Sequence, residues 1–169
     1  MVFLRGNFML KLVNPDEPPQ GEVLSYVKEF VLFRESINGD NFLGNYLVNS
    51  SYEKWISYID SCVEMDNFTY FLINENSNVI GMCNIKLSTD GFCSADYNIR
   101  PSLRGNGYGR VLLYLILERC KSLDCNGVYI VTSSCNIPSC KVLEFFGASY
   151  EDDDDFRKYV LEFPKVLKR

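Results

Sequence analysis

The sequence predicts an α/β (α+β) protein with a mixed central sheet of about six to seven strands flanked by about four helices. Three observations carry that expectation. Apolar residues alternate over several short runs, they recur at helical spacing over others, and one strand-like run passes through a glycine-rich turn into a long apolar segment. A further strand follows that segment, so strand, helix and strand form a βαβ unit whose two strands run parallel with a right-handed crossover.

The elements follow in order. Phe8 to Val13 reads as the first strand, ended by Asn14-Pro15 and the Pro18-Pro19 pair. Val23, Tyr26, Val27, Phe30 and Val31 recur at helical spacing over Val23 to Arg34. A Gly/Asn-rich loop, Ser36 to Asn45, leads to a second helix over Tyr52 to Met65, with Trp55, Ile56, Ile59 and Val63 on one face. Three strands come next, Phe68 to Asn74, Val79 to Leu87 and Phe92 to Ile99, separated by the hairpin-type turns Asn76-Ser77-Asn78 and Thr89-Asp90-Gly91. A helix over Gly107 to Ser122 ends near Cys125-Asn126-Gly127, and Val128 to Ser133 is a buried strand. A helix over Ser139 to Phe146 and two strands, Ala148 to Glu151 and Arg157 to Phe163, complete the pattern. One domain is expected over 1–169, with residues 1–8 as an N-terminal extension.

The stretch Ile99-Arg100-Pro101-Ser102-Leu103-Arg104-Gly105-Asn106-Gly107-Tyr108-Gly109-Arg110 is the most informative. Three glycines at alternate positions let successive backbone N–H groups line one concavity without Cβ obstruction. The helix start that follows adds N–H donors and a partial positive charge, a site for an anionic group such as a pyrophosphate, with Arg104 or Arg110 supplying formal charge. The same glycines would also serve a tight strand-to-helix connection with no ligand. Two familiar nucleotide loops are excluded by spacing. A Walker loop needs Gly-Lys-Ser/Thr where this chain has Gly109-Arg110-Val111, and a dinucleotide fingerprint needs its third glycine one residue later and an acidic residue ending the next strand.

Arg104, Gly107 and Gly109 match the Arg/Gln-x-x-Gly-x-Gly/Ala signature of the GNAT superfamily of N-acetyltransferases, and Ile99 and Pro101 match its preceding hydrophobic-x-Pro. Asn136, then Lys141 to Phe146, then Gly147-Ala148 resemble that superfamily's following block, and Asp96 to Ser102, Asn136 to Val142 and the opening Met9 to Val13 are similar to a bacterial branch of it. The resemblance runs from about Met9 to Phe163. It implies splayed parallel strands at a site for acetyl-CoA, with CoA as product. Backbone of Tyr97, Asn98 and Ile99 would bind the pantetheine arm. Amides of Arg104, Gly105, Asn106, Gly107, Tyr108, Gly109 and Arg110 would bind the pyrophosphate. Asn136 would lie on the pantetheine side, a role compatible with capping the helix that follows it.

The implied reaction moves an acetyl group from a thioester to a primary amine by direct attack in one ternary complex. A base must take a proton from the amine, and an acid would assist the thiolate. Many superfamily members place a tyrosine seven residues after the Asn, but Leu143 stands there, and Val131 replaces the glutamate some members use as base. With no histidine in the chain, Asp96 is the first choice for a base, against the alternative of a surface strand residue. Glu35, Asp40, Phe42 and Tyr46 in the loop after the first helix could form an acidic and aromatic mouth for an ammonium group. A non-catalytic acetyl-CoA-binding module of the same fold is the alternative function.

Composition bounds the partners. The chain has 169 residues, 47% hydrophobic and 14% aromatic, enough to bury a substantial core. A net charge of −5 repels nucleic acid and suits a small-molecule or peptide amine. The run Glu151 to Asp155 reads as a solvated turn between strands. No run reaches membrane-spanning length and Arg5 interrupts the N-terminal apolar residues, so a cytoplasmic monomer or homodimer without membrane contact is expected. The seven cysteines show no CxxC pair, which suggests reduced, mostly buried thiols and no metal site.

Overall fold

A computed structural model describes residues 2–5, 8–37, 43 and 51–164. Among them eight strands form one sheet: β1 (Val2–Arg5), β2 (Phe8–Val13), β3 (Asn67–Asn74), β4 (Val79–Leu87), β5 (Cys93–Ile99), β6 (Gly127–Ser133), β7 (Ser149–Asp153) and β8 (Phe156–Glu162). Among the described residues four α-helices have defined bounds: α1 (Gln20–Phe33), α2 (Tyr52–Val63), α3 (Tyr108–Ser122) and α4 (Ile137–Phe145). The strand order is β1-β2-β3-β4-β5-β6-β8-β7. β1 lies inside the segment expected as an N-terminal extension, where it pairs antiparallel with β2.

Alternation along the strands sorts the core into two layers. Tyr70 and Leu72 of β3, with Cys83 and Ile85 of β4, face the cluster built on α3 and α4. Phe71 and Ile73 face Tyr26, Phe30 and Trp55 of α1 and α2. Leu72 pairs with Gly81 but Ile73 pairs with Val79, so Ile80 is an extra residue and β4 is bulged there. In α3, Val111, Leu112, Leu113, Leu115, Ile116, Leu117 and Cys120 are all buried. That explains its nearly continuous apolar run: more than one face of the helix is covered.

Strand β5 pairs antiparallel with β4 over seven residue pairs, and β6 pairs with β8 over seven. β5 and β6 run parallel, as the βαβ pattern requires, but pair only at Cys93–Val128 and Ser94–Tyr129. Beyond those two pairs the strands part toward their carboxyl ends, leaving a wedge in the sheet. Its closed end is stapled: the Phe92 and Tyr129 rings stack at 4.7 Å, and a disulfide joins Cys93 to Cys125. This corrects the expectation of reduced thiols throughout. The parallel register carries Cys93 to the loop between α3 and β6, where its Cα lies 6.2 Å from that of Cys125, within disulfide reach. Cys62, Cys83, Cys120 and Cys140 are free and buried, and Cys135 is free and exposed.

Candidate functional site

The open end of the wedge is where the singled-out residues gather. β5 ends at Ile99, a 3-10 turn spans Pro101–Leu103, and α3 begins at Tyr108. Between turn and helix, Gly105 and Gly107 both have φ of +77°, a conformation that costs a side chain about 1 kcal/mol or more. Gly107 is the N-cap of α3, and no side chain caps that helix start. A Cβ built on Gly105 would meet nothing within 4 Å, so the turn presents bare backbone. Uncapped helix N–H groups beside an open glycine turn suit an anionic oxygen. The residues present therefore fit a pyrophosphate.

The side chains around this turn are engaged elsewhere. Arg104 donates from Nε to the Ile99 carbonyl at 3.1 Å, and its two Nη groups reach Glu35 at 2.9 and 2.6 Å. Arg110 lies over the Phe145 ring of α4, 4.2 Å from its centroid. Asn106 donates to the carbonyls of Leu103 and Arg104, closing the 3-10 turn. Tyr108 packs against the α3 core. Gly109 is close to α4, where a Cβ would meet Val142 Cγ2 at 3.6 Å. Asn136 Oδ1 accepts from the Ser139 N–H and caps α4. Asn98 is buried opposite Met82, and the Tyr97 hydroxyl lies 3.2 Å from Ser139 Oγ.

Asp96 pairs with Asn84 across the β4–β5 ladder. Asp96 is exposed as a residue, yet partial burial of its carboxyl raises its pKa. Asn84 is buried and donates to Asn67, Phe68 and Thr69, so Asp96 stands over a polar patch of the sheet. Of the residues expected at an acceptor mouth, Glu35 reaches the site through Arg104. Asp40, Phe42 and Tyr46 lie outside the described residues.

One part of the site escapes sequence reading. Arg100 sits between Ile99 and Pro101, and its Nε donates to Glu29 Oε2 of α1 at 2.6 Å while Nη2 donates to Ser25 Oγ at 2.7 Å. The Ser102 N–H donates to the other Glu29 oxygen at 2.5 Å. Burial would raise the Glu29 carboxyl, but hydrogen bonds from Arg100 and Ser102 outweigh it and hold its pKa below the ordinary value. The turn leading into the glycines is thus bolted to α1. Two cavities, of about 290 and 500 Å³, lie over β2 and β3 rather than at the wedge, the first lined by Asn14, Ile56 and Asp60, the second by Leu12, Glu17 and Arg119.

Among the described residues no group of three or more His, Cys, Asp or Glu could hold a metal ion, and no helix is long and apolar enough to cross a membrane. The sequence matches the model of the acetyltransferase (GNAT) family over residues 35–148, more than half of the chain. No curated protein matches it. In fold it is similar to the ribosomal-protein-S5-alanine acetyltransferase of Vibrio fischeri, with TM-score 0.71 and 14% identity, covering 98% of each chain. It is also similar to yncA of Salmonella typhimurium with its cofactor acetyl-CoA, with TM-score 0.70, 11% identity and coverage of 96% of this chain and 97% of that one. The Campylobacter jejuni N-acetyltransferase PseH in complex with acetyl coenzyme A gives TM-score 0.64 and 17% identity over 92% of this chain and 99% of that one.

Proposed function

Because the chain belongs to the acetyltransferase (GNAT) family, we propose that it is an acetyl-CoA-dependent N-acetyltransferase that acylates a primary amine by direct attack in a ternary complex. The observation that carries this reading is the wedge. β5 and β6 part after two residue pairs, and an uncapped glycine turn stands at the opening. Acetyl-CoA would supply an activated acetyl thioester. Backbone groups of Tyr97, Asn98 and Ile99 would hold the pantetheine arm, amides from Arg104 through Arg110 the pyrophosphate, and Asn136 the side toward α4.

Asp96 is our candidate base. Partial burial raises its carboxyl above the ordinary aspartate value, which makes it a better proton acceptor. Glu35, with Asp40, Phe42 and Tyr46, would attract the acceptor, a small-molecule or peptide amine. We place the protein in the cytoplasm as a monomer or homodimer. A reducing compartment disfavours the Cys93–Cys125 bond, so a thiol count on freshly extracted protein checks that placement.

The test is an assay of acetyl transfer from acetyl-CoA to a panel of polyamines, amino acids, aminoglycosides and N-terminal peptides, read as released CoA thiol and acetylated product. Transfer to at least one class supports the enzyme. Saturable acetyl-CoA binding with no transfer to any amine would favour a non-catalytic module, the reading that Leu143 in place of a tyrosine predicts.

A further inference from the structure

The Tyr97 side chain reaches from β5 to α4 beside the wedge. It lies three residues past Ser94, the last residue of β5 to pair with β6. Its ring packs against the core beneath α3, and its hydroxyl passes from β5 to α4, ending 3.2 Å from Ser139 Oγ. Ser139 is itself fixed, since Asn136 Oδ1 accepts its N–H. A phenol is therefore held between β5 and α4, two residues from the strand end at Ile99. Cys140 of α4 also lies near the Tyr97 phenol, and its thiol is buried. One turn after Ser139 stands the buried Leu143, and helix side chains lie back over the preceding turn.

Breaking a thioester leaves an electron pair on sulfur, and a proton delivered there stabilises the product. We propose that the Tyr97 hydroxyl, positioned by Ser139, is the proton donor to the departing sulfur of CoA, an assignment that rests on the acetyltransferase reading. Tyr97 gives its proton to sulfur as the amine nitrogen bonds the carbonyl carbon and the carbon–sulfur bond breaks. The surplus proton on the new amide nitrogen restores the phenol through water or the Ser139 hydroxyl. Burial raises the pKa of Tyr97, so the donor stays protonated at neutral pH.

The experiment compares CoA with desulfo-CoA, in which hydrogen replaces the thiol, by calorimetric titration of the full chain and of Tyr97→Phe and Ser139→Ala. The wild type binds CoA about fivefold more tightly than desulfo-CoA, the worth of one hydrogen bond. Tyr97→Phe loses that preference and binds desulfo-CoA as the wild type does. Ser139→Ala, with the phenol intact but less firmly held, keeps part of it. With the best amine of the panel, Tyr97→Phe also lowers kcat by about a hundredfold at little change in the KM for acetyl-CoA. The assignment is overturned if Tyr97→Phe retains the preference, if it weakens both ligands equally, or if Ser139→Ala loses as much as Tyr97→Phe. Wild-type protein that binds neither ligand would overturn the acetyltransferase reading itself, whereas CoA binding indifferent to Tyr97 removes only the proton donor.

Discussion

Arg104 and Glu35 form a two-pronged ion pair, with Nη1–Oε1 at 2.9 Å and Nη2–Oε2 at 2.6 Å, while Arg104 Nε holds the Ile99 carbonyl. One guanidinium thereby ties the last carbonyl of β5 to the segment that follows α1. Glu35 is placed for this by the left-handed Arg34 at the end of α1 and by its own N–H, which donates to the Phe30 carbonyl. The candidate cofactor turn and the candidate acceptor side are linked through these two residues.

Exposure limits what the pair contributes to stability. Both side chains are more than a third exposed, so Glu35→Gln should cost less than about 1 kcal/mol, and less still at high salt. The hydrogen bond from Arg104 holds the Glu35 pKa below its ordinary value. Its contribution is therefore present above the unfolded-state pKa and is lost as pH falls through the lowered folded value. Urea denaturation of both proteins at neutral pH and near pH 3 should show a small gap that closes in acid. A gap that widens in acid would contradict the pairing.

Glu29 behaves differently because it is largely buried, with 14% of its side chain exposed beside 17% for Arg100. Glu29→Gln removes a charge partner from Arg100 and an acceptor from the Ser102 N–H, at a cost of about 2–4 kcal/mol. It also frees the turn before the glycines, so acetyl-CoA affinity should fall about tenfold in protein that remains folded. Denaturant titration and calorimetry check the two effects separately. Unchanged affinity would mean that the bolt to α1 does not position the turn.

Gly81 is required by close approach. A Cβ there would lie 2.5 Å from the Asn98 carbonyl oxygen and 2.9 Å from Ile99 Cδ1. Gly81→Ala must push β4 from β5 beside the wedge, for about 1–3 kcal/mol of lost stability. Gly21→Ala is the matched control, since a Cβ at that position in α1 meets nothing within 4 Å and gains up to about 1 kcal/mol. Equal melting shifts in the two variants would refute the packing argument.

Loss of the disulfide should loosen the closed end of the wedge. Cys93 and Cys125 are 32 residues apart, and loop-closure entropy at that length predicts roughly 3–4 kcal/mol for the double variant Cys93→Ser/Cys125→Ser. Unfolded without reductant, the oxidised protein should titrate five thiols, the free cysteines of the described residues. Seven would show the pair reduced.

Much of the fold is legible because it is written in short-range periodicity. β2 and β4 have the bounds that alternation predicts, and the other expected strands and the four helices differ from them by only a few residues at either end. The pattern does not mark β1, whose four residues become a strand only through pairing with β2. Through-space relations are the remainder. Cys93 and Cys125, or Arg100 and Glu29 at a separation of 71 residues, become neighbours only once the sheet order is known. Arg104 and Glu35 each stand out in the sequence for separate reasons, but nothing in it says that they meet. The glycine turn was legible because positive φ restricts residue choice, and Gly105 and Gly107 satisfy that restriction.

The most direct test of the wedge as the acetyl-CoA site is amide hydrogen exchange of the intact protein with and without acetyl-CoA. Binding there should slow exchange in peptides covering Tyr97 to Ile99 and Arg104 to Arg110, and leave unchanged the cavity lined by Asn14, Ile56 and Asp60. Protection confined to that cavity, or no protection at saturating acetyl-CoA, would contradict the account.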